Sequence, residues 1–210
     1  LIIVPFRAPK SAKIYQEVWT DRGSPIIYHT KSLVKKLQKS LGEKYSVAYA
    51  MRYKNPSIKS VLAKLKSQNL NQIIIIPLFP QYASATNGSV IEEVMNIVKK
   101  WWVIPEINFV SQFYDEKLFL DAFAENGKKY NIKDYDEIIF SFHGLPERHV
   151  DKVYETSLCK DNDCEKGINK LNKFCYKATC YETAKQIANR LKLKKSDYIV
   201  AFQSRLDNKW

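Results

Sequence analysis

At 210 residues, with 45% apolar and 27% charged residues, the chain has the composition of a soluble globular protein, large enough for one large or two small domains. Its most apolar stretch, residues 73–79, is far too short to cross a bilayer, and no charged start, apolar core and small-residue cleavage site marks export. The net charge of +12 is spread over several predicted helices without a zinc-finger spacing, RNA-module signature or basic–aromatic repeat, which argues against nucleic acid and for anionic partners such as acidic lipid headgroups or carboxylate-bearing substrates. A cytoplasmic chain, touching at most a membrane surface, is the expectation.

In chain order, residues 1–4 form a short apolar, strand-like run. Helical runs follow over 12–19 and 31–41, the second with Leu33, Val34, Leu37 and Leu41 on one face. Residues 46–51 read as a strand, and Pro56-Ser57 starts a helix in which Ile58, Val61, Leu62 and Leu65 recur at helical spacing. Residues 72–79 are nearly all apolar and rich in β-branched side chains, as a parallel strand covered on both faces would be. A loop over 81–89 leads into a helix with Val90, Ile91, Val94, Met95 and Val98 inward; Asn87-Gly88-Ser89 has the form of a glycosylation acceptor but reads as turn and helix cap. Strands at 107–113, 137–142 and 198–203 alternate with helices at 118–128 and 179–193, the last with Ala184, Ile187, Ala188 and Leu191 inward.

This alternation predicts an α/β protein with parallel sheets flanked by helices. A soft boundary near 113–116 divides it into domains 1–114 and 115–210, the second bearing a Cys-rich insertion near 155–180. The chain opens inside a strand-like run and stops shortly after another strand, so it reads as a piece of something longer.

The most informative segment is Ile138-Ile139-Phe140-Ser141-Phe142-His143-Gly144-Leu145-Pro146. A strand-like run halts at a histidine, then a glycine and a proline turn, which puts the imidazole at the carboxyl edge of a sheet, where open α/β folds bind ligands. Histidine is also the side chain best suited to exchange a proton or hold a metal near neutral pH. Three more strand ends offer polar, aromatic or basic groups: Met51-Arg52-Tyr53-Lys54-Asn55-Pro56-Ser57, the hydroxyl- and aromatic-rich stretch from Phe79 to Ser89, and Phe202-Gln203-Ser204-Arg205. Turns favour such residues anyway; their recurrence at carboxyl ends is what marks a site. His149 and His29 read as structural.

Together with PFRAPKSA (5–12) and GSP (23–25), the motifs MRYKNPS (51–57), FPQYASATNGS (79–89), SFHGLPER (141–148) and FQSR followed by Trp210 resemble ferrochelatase, in that family's order and across essentially the whole chain. The resemblance implies two Rossmann-like domains with a porphyrin cleft between them, and insertion of ferrous iron into protoporphyrin or coproporphyrin to form haem. On it, His143 is the proton-abstracting or metal-binding histidine. Tyr53, Phe79, Tyr82 and Trp210 are candidates for the aromatic wall of the cleft, with core packing as the alternative for Phe79 and Trp210. Arg7, Arg52, Ser84 and Arg205, with Gln203 and Ser204 beside the last, are candidates for binding propionates and lining the cleft. The family's amino-terminal strand, its first active-site loop and the later Asp-His-x-Glu-Thr segment, whose glutamate faces the histidine, have no counterpart here. Lys54 and Asp207 stand where the family usually has glycine. A non-catalytic porphyrin- or metal-binding piece is the alternative this leaves.

Cys159, Cys164, Cys175 and Cys180 are the only cysteines, spaced C-x4-C-x10-C-x4-C. In a chain without an export signal such clustering points to metal rather than disulfide. Four thiolates can hold a [2Fe–2S] cluster or structural zinc. The x4 gaps, looser than those of common zinc ribbons, favour iron–sulfur, and the segment resembles the cluster-bearing insertion of some microbial ferrochelatases. The competing reading places Cys180 on a helix as a buried, apolar-like residue.

Overall fold

A computed structural model describes residues 3–154 and 163–204, without the side chains of residues 3–8, 10 and 11. The chain divides into two compact units, Leu1–Leu70 and Asn71–Trp210. Among the described residues no helix is long and apolar enough to cross a membrane.

The first unit holds α1 (Ile3–Val18), α2 (Pro25–Leu41) and α3 (Ile58–Lys66). The strand expected at 1–4 is not formed: α1 already begins at Ile3. A four-residue apolar run has no period of its own and cannot separate strand from helix. Ser57 caps α3 by accepting from the Ser60 amide, and Ile58 and Leu62 are the buried residues of that helix. The strand expected at 46–51 is also absent. Gln38 on α2 takes up backbone groups that a ladder would have used: its Nε2 donates to the Gly42 and Tyr45 carbonyls at 2.8 Å each, and its Oε1 accepts from the Val47 amide at 2.9 Å. Only an isolated bridge, Met51 to Ser57, closes that segment. Gly42 ends α2 at φ +71°, where a side chain would be strained.

The second unit is built from two β–helix–β units with parallel strands, as the alternation predicts. In the first, β1 (Gln72–Ile75) and β2 (Glu106–Phe109) flank α4 (Ser89–Val98) and pair with Ile73 opposite Ile107. In the second, β3 (Ile138–His143) and β4 (Tyr198–Gln203) pair along their whole length, with α6 (Glu147–Val150) and α7 (Tyr176–Leu191) between them in sequence. Helix α5 (Lys117–Gly127) packs against α7. The strand expected at 72–79 stops at Ile75 because Pro77 follows, and it is covered on one side only: Ile73 is buried whereas Ile74 and Ile76 are half exposed. Similarly, Val94 and Val98 of α4 face inward as expected, but Met95 points out at 57% exposure. The loop expected over 81–89 contains a turn of π-helix at Ser84–Gly88, which runs directly into α4.

Helix α7 carries the core. Ala178, Thr179, Cys180, Ala184 and Ala188 have no exposed surface, and Thr183 and Ile187 are nearly as covered. Small side chains on that face let neighbours approach closely; a Cβ on Gly127 would meet Leu191 at 3.2 Å. Leu120 and Ala124 supply the facing apolar surface of α5. Arg190 Nε donates to Asp121 Oδ1 at 2.8 Å across this junction, and Lys117 Nζ reaches Oδ2 at 2.6 Å. These cations hold the Asp121 carboxyl below its ordinary value of 3.8. The ion pair therefore supports the fold fully above pH 3.8 and is lost as pH falls through the lower folded value. Asp121→Asn should weaken the protein at neutral pH and make this part of its acid sensitivity disappear, read as urea midpoints measured from pH 7 down to pH about 2.5.

Candidate functional site

His143 is the last residue of β3, opposite Gln203 at the end of β4, and its side chain is exposed. The strands stop together because Gly144, Leu145 and Pro146 turn the chain into α6 while Ser204 leaves β4 at φ +68°. The Gly144 amide donates to the Gln203 carbonyl at 2.7 Å, locking the two ends to each other. Below them, Phe142 and Phe202 lie 6.0 Å apart by ring centroid, with Tyr181 of α7 5.9 Å from Phe202. Ser204 Oγ donates to Gln203 Oε1, so those two predicted site residues interact beside His143 in the register.

Two side chains of α7 fix this edge and the hydroxyl-rich loop. The Tyr176 hydroxyl, in the first turn of α7, donates to the His143 carbonyl at 2.8 Å. Farther along, Thr183 Oγ1 accepts from Gln81 Nε2 at 2.9 Å and faces the Thr179 and Tyr114 carbonyls at 2.8 and 3.2 Å, sharing one proton between them. Gln81 precedes Tyr82, so the hydroxyl-rich loop is anchored to the same helix that touches His143. Asn87 fixes the other end of that loop, donating from Nδ2 to the Phe79 and Ser111 carbonyls at 2.9 and 2.8 Å; it is fully buried, which fits a turn residue rather than a glycosylation acceptor, whereas α4 has no side-chain cap. Tyr82 meets the edge of Phe174 at 6.3 Å, and a Cβ on Gly88 would come within 3.0 Å of its hydroxyl, so glycine there leaves room for the phenol. Ser84 is exposed at the start of the π turn, and Phe79 is 43% exposed, so Phe79 is not wholly a core residue.

Arg52 and Tyr53 belong to the first unit and contact each other, the guanidinium carbon 4.9 Å from the ring centroid, with Tyr53 76% exposed. Arg7 lies in α1, within the stretch whose side chains are not described. Arg205, Trp210 and Cys159 lie outside the described residues.

The other three cysteines are all buried thiols. Cys164 and Cys175 Sγ stand 3.7 Å apart in a buried cluster with Val150 and Ala178, packed against by Leu145, Tyr154 and Ile168. Two sulfurs on one tetrahedral metal, each about 2.3 Å from it, lie about 3.8 Å apart, so this pair has the spacing of one shared metal's edge. Cys180 sits on α7 as a buried, apolar-like residue; burial pushes its thiol up, with Tyr176 opposing and Cys175 adding to the rise. Among the described residues no group of three or more metal-capable side chains is assembled.

Tyr176, Thr183 and Phe174 were not legible as site residues. Helix α7 begins at Tyr176 rather than at the expected 179; Cys175 stands at its N-cap without a side-chain capping hydrogen bond, so no capping residue marks this start in the sequence.

The described residues thus form a mixed α/β protein whose short parallel sheets, flanked by helices, present a histidine and hydroxyl-bearing loops at their carboxyl edge. The ferrochelatase family model matches residues 1–210. The ferrochelatase of Legionella pneumophila (strain Paris) is 44% identical over 205 residues, covering 98% of this chain and 60% of its own length. That of Coxiella burnetii (strain Dugway 5J108-111) is 39% identical over 217 residues, covering 100% of this chain and 59% of its own. The chain belongs to the ferrochelatase family, and it spans about 60% of the length of these curated relatives.

Thr183→Val, nearly isosteric, leaves the buried Gln81 amide without its acceptor and should cost about 1–3 kcal/mol of unfolding free energy, with Thr183→Ser restoring most of it. Chemical denaturation of the three proteins checks this.

Proposed function

We propose that this chain carries part of the machinery of a porphyrin metal chelatase, a lyase that inserts ferrous iron into protoporphyrin or coproporphyrin to yield haem. The observation that carries the reading is an exposed imidazole at the carboxyl end of β3 in a chain that belongs to the ferrochelatase family. Metalation exchanges two pyrrole N–H protons for one Fe2+, so a base must face the macrocycle and pass both protons on. His143 suits that role because it is exposed, sits on a strand and is tied at its carbonyl to a helix. The macrocycle must also be held distorted while the metal enters. Phe79, Tyr82 and Tyr53, with Trp210, are the proposed wall. Arg7, Arg52 and Arg205 are the proposed partners of the propionates, with Ser84, Gln203 and Ser204 as hydrogen-bonding groups. We further propose two Rossmann-like domains divided as 1–114 and 115–210, a cytoplasmic setting, and contact of the basic surface with acidic lipid headgroups.

The specific observation favouring a second reading, a porphyrin-binding piece without turnover, is that the chain spans about 60% of its relatives' length. Anaerobic mixing with Fe2+ and porphyrin separates the two. Appearance of haem absorbance supports the chelatase, and a Soret shift without metalation supports the second. In the natural full-length protein, His143→Ala should lower metalation at least 100-fold while porphyrin affinity, read by fluorescence quenching, changes less than threefold. Turnover near that of the unmodified protein would refute the assignment.

We also propose that Cys159, Cys164, Cys175 and Cys180 hold a [2Fe–2S] cluster. The 3.7 Å spacing of the Cys164 and Cys175 sulfurs supports a metal at this position. Bound there, a cluster would supply a rigid cross-link and one-electron chemistry, while the protein's residues exclude water around it. Anaerobically purified protein should then be brown, with about two irons and about two sulfides per chain. Colourless protein with stoichiometric zinc would overturn the iron–sulfur assignment.

A further inference from the structure

We infer that Tyr176 is a positioning residue for His143, fixing the strand end from which the imidazole projects. The inference rests on His143 being the base of the proposed chelatase.

The geometry is specific. The Tyr176 hydroxyl donates to the carbonyl of His143 itself, at 2.8 Å, across 33 positions of sequence. On its other side, Gly144 donates to Gln203 at 2.7 Å, so the peptide bearing the imidazole is pinned from both flanks. Tyr176 is held in turn at the first turn of α7, directly after Cys175, whose sulfur is packed 3.7 Å from that of Cys164. The residue is half-buried, and its hydroxyl also faces the Cys180 thiol one turn on. A half-buried phenol in a packed first turn has few alternative placements, which makes its hydroxyl a fixed reference point for the carbonyl it meets. A small rotation of that peptide would swing the imidazole by a much larger distance at its tip, and catalytic rates fall steeply with such misplacement.

Tyr181 supplies the control. It lies on the same helix, and its hydroxyl donates to Glu165 Oε1 at 2.9 Å rather than to the strand end. Loss of either hydroxyl removes one hydrogen bond from α7, but only Tyr176→Phe releases the His143 carbonyl.

The test is steady-state metalation of porphyrin by Fe2+ under anaerobic conditions in the natural full-length protein, comparing Tyr176→Phe with Tyr181→Phe. Tyr176→Phe should lower kcat about tenfold while KM and porphyrin affinity stay within twofold, and Tyr181→Phe should change neither. In parallel, the His143 ring resonances in NMR spectra should move in Tyr176→Phe alone. An unchanged kcat and unchanged ring resonances in Tyr176→Phe would overturn the inference, as would equal losses in both variants. Should the unmodified protein bind porphyrin without metalating it, the chelatase reading fails by itself, and the imidazole resonances still decide whether Tyr176 positions His143.

Discussion

The structure of the second unit depends on the inner face of α7. That face is made of alanines, a cysteine, two threonines and Ile187, and it is almost fully buried. Small side chains bring α5 close enough for Leu120 and Leu191 to fill the junction, and Arg190 can then reach Asp121. A buried helix face of this kind has few polar groups to satisfy, and those it has are placed where loops must be held. Thr183 receives Gln81 from the hydroxyl-rich loop, Thr179 bonds back to the Cys175 carbonyl, and Tyr176 reaches the end of β3. One rigid element therefore sets the positions of a loop and a strand end that are far apart in sequence.

This arrangement fits the proposed chelation, a chemistry that asks little of the protein in the way of covalent steps and much in the way of placement. Inserting a metal into a planar ring requires a base held still on one side and a surface that keeps the ring bent. Strand ends pinned to a packed helix supply the stillness; the exposed Phe79 and the Tyr82–Phe174 pair supply candidate aromatic surface. The cysteine pair lies at the same end of α7, so whatever the thiols bind would stiffen the turn that carries Tyr176.

Much of this was legible in the sequence where local pattern and tertiary packing agree. The span of β4 at 198–203 is as expected, and β3 extends one residue beyond expectation to include His143 itself, which sharpens its placement at the sheet edge. The parallel pairing follows from the alternation of strands and helices. What local pattern could not show was what covers a face or what pairs with a backbone. Met95, Ile74 and Ile76 have the periodicity of core residues yet stand exposed, and 46–51 has strand composition yet meets the Gln38 amide instead of a neighbouring strand. Tyr176 and Thr183 acquire their roles only through contacts across 33 and 102 positions, which no spacing rule reports.

The most direct measurement is a crystal structure of the natural full-length protein with a metal-free porphyrin bound. Its ring should lie with the His143 imidazole aimed at the pyrrole nitrogens, directly or through one water, while the Tyr176 hydroxyl remains on the His143 carbonyl. A porphyrin seated away from the carboxyl ends of β3 and β4, or an imidazole turned from it, would contradict the account.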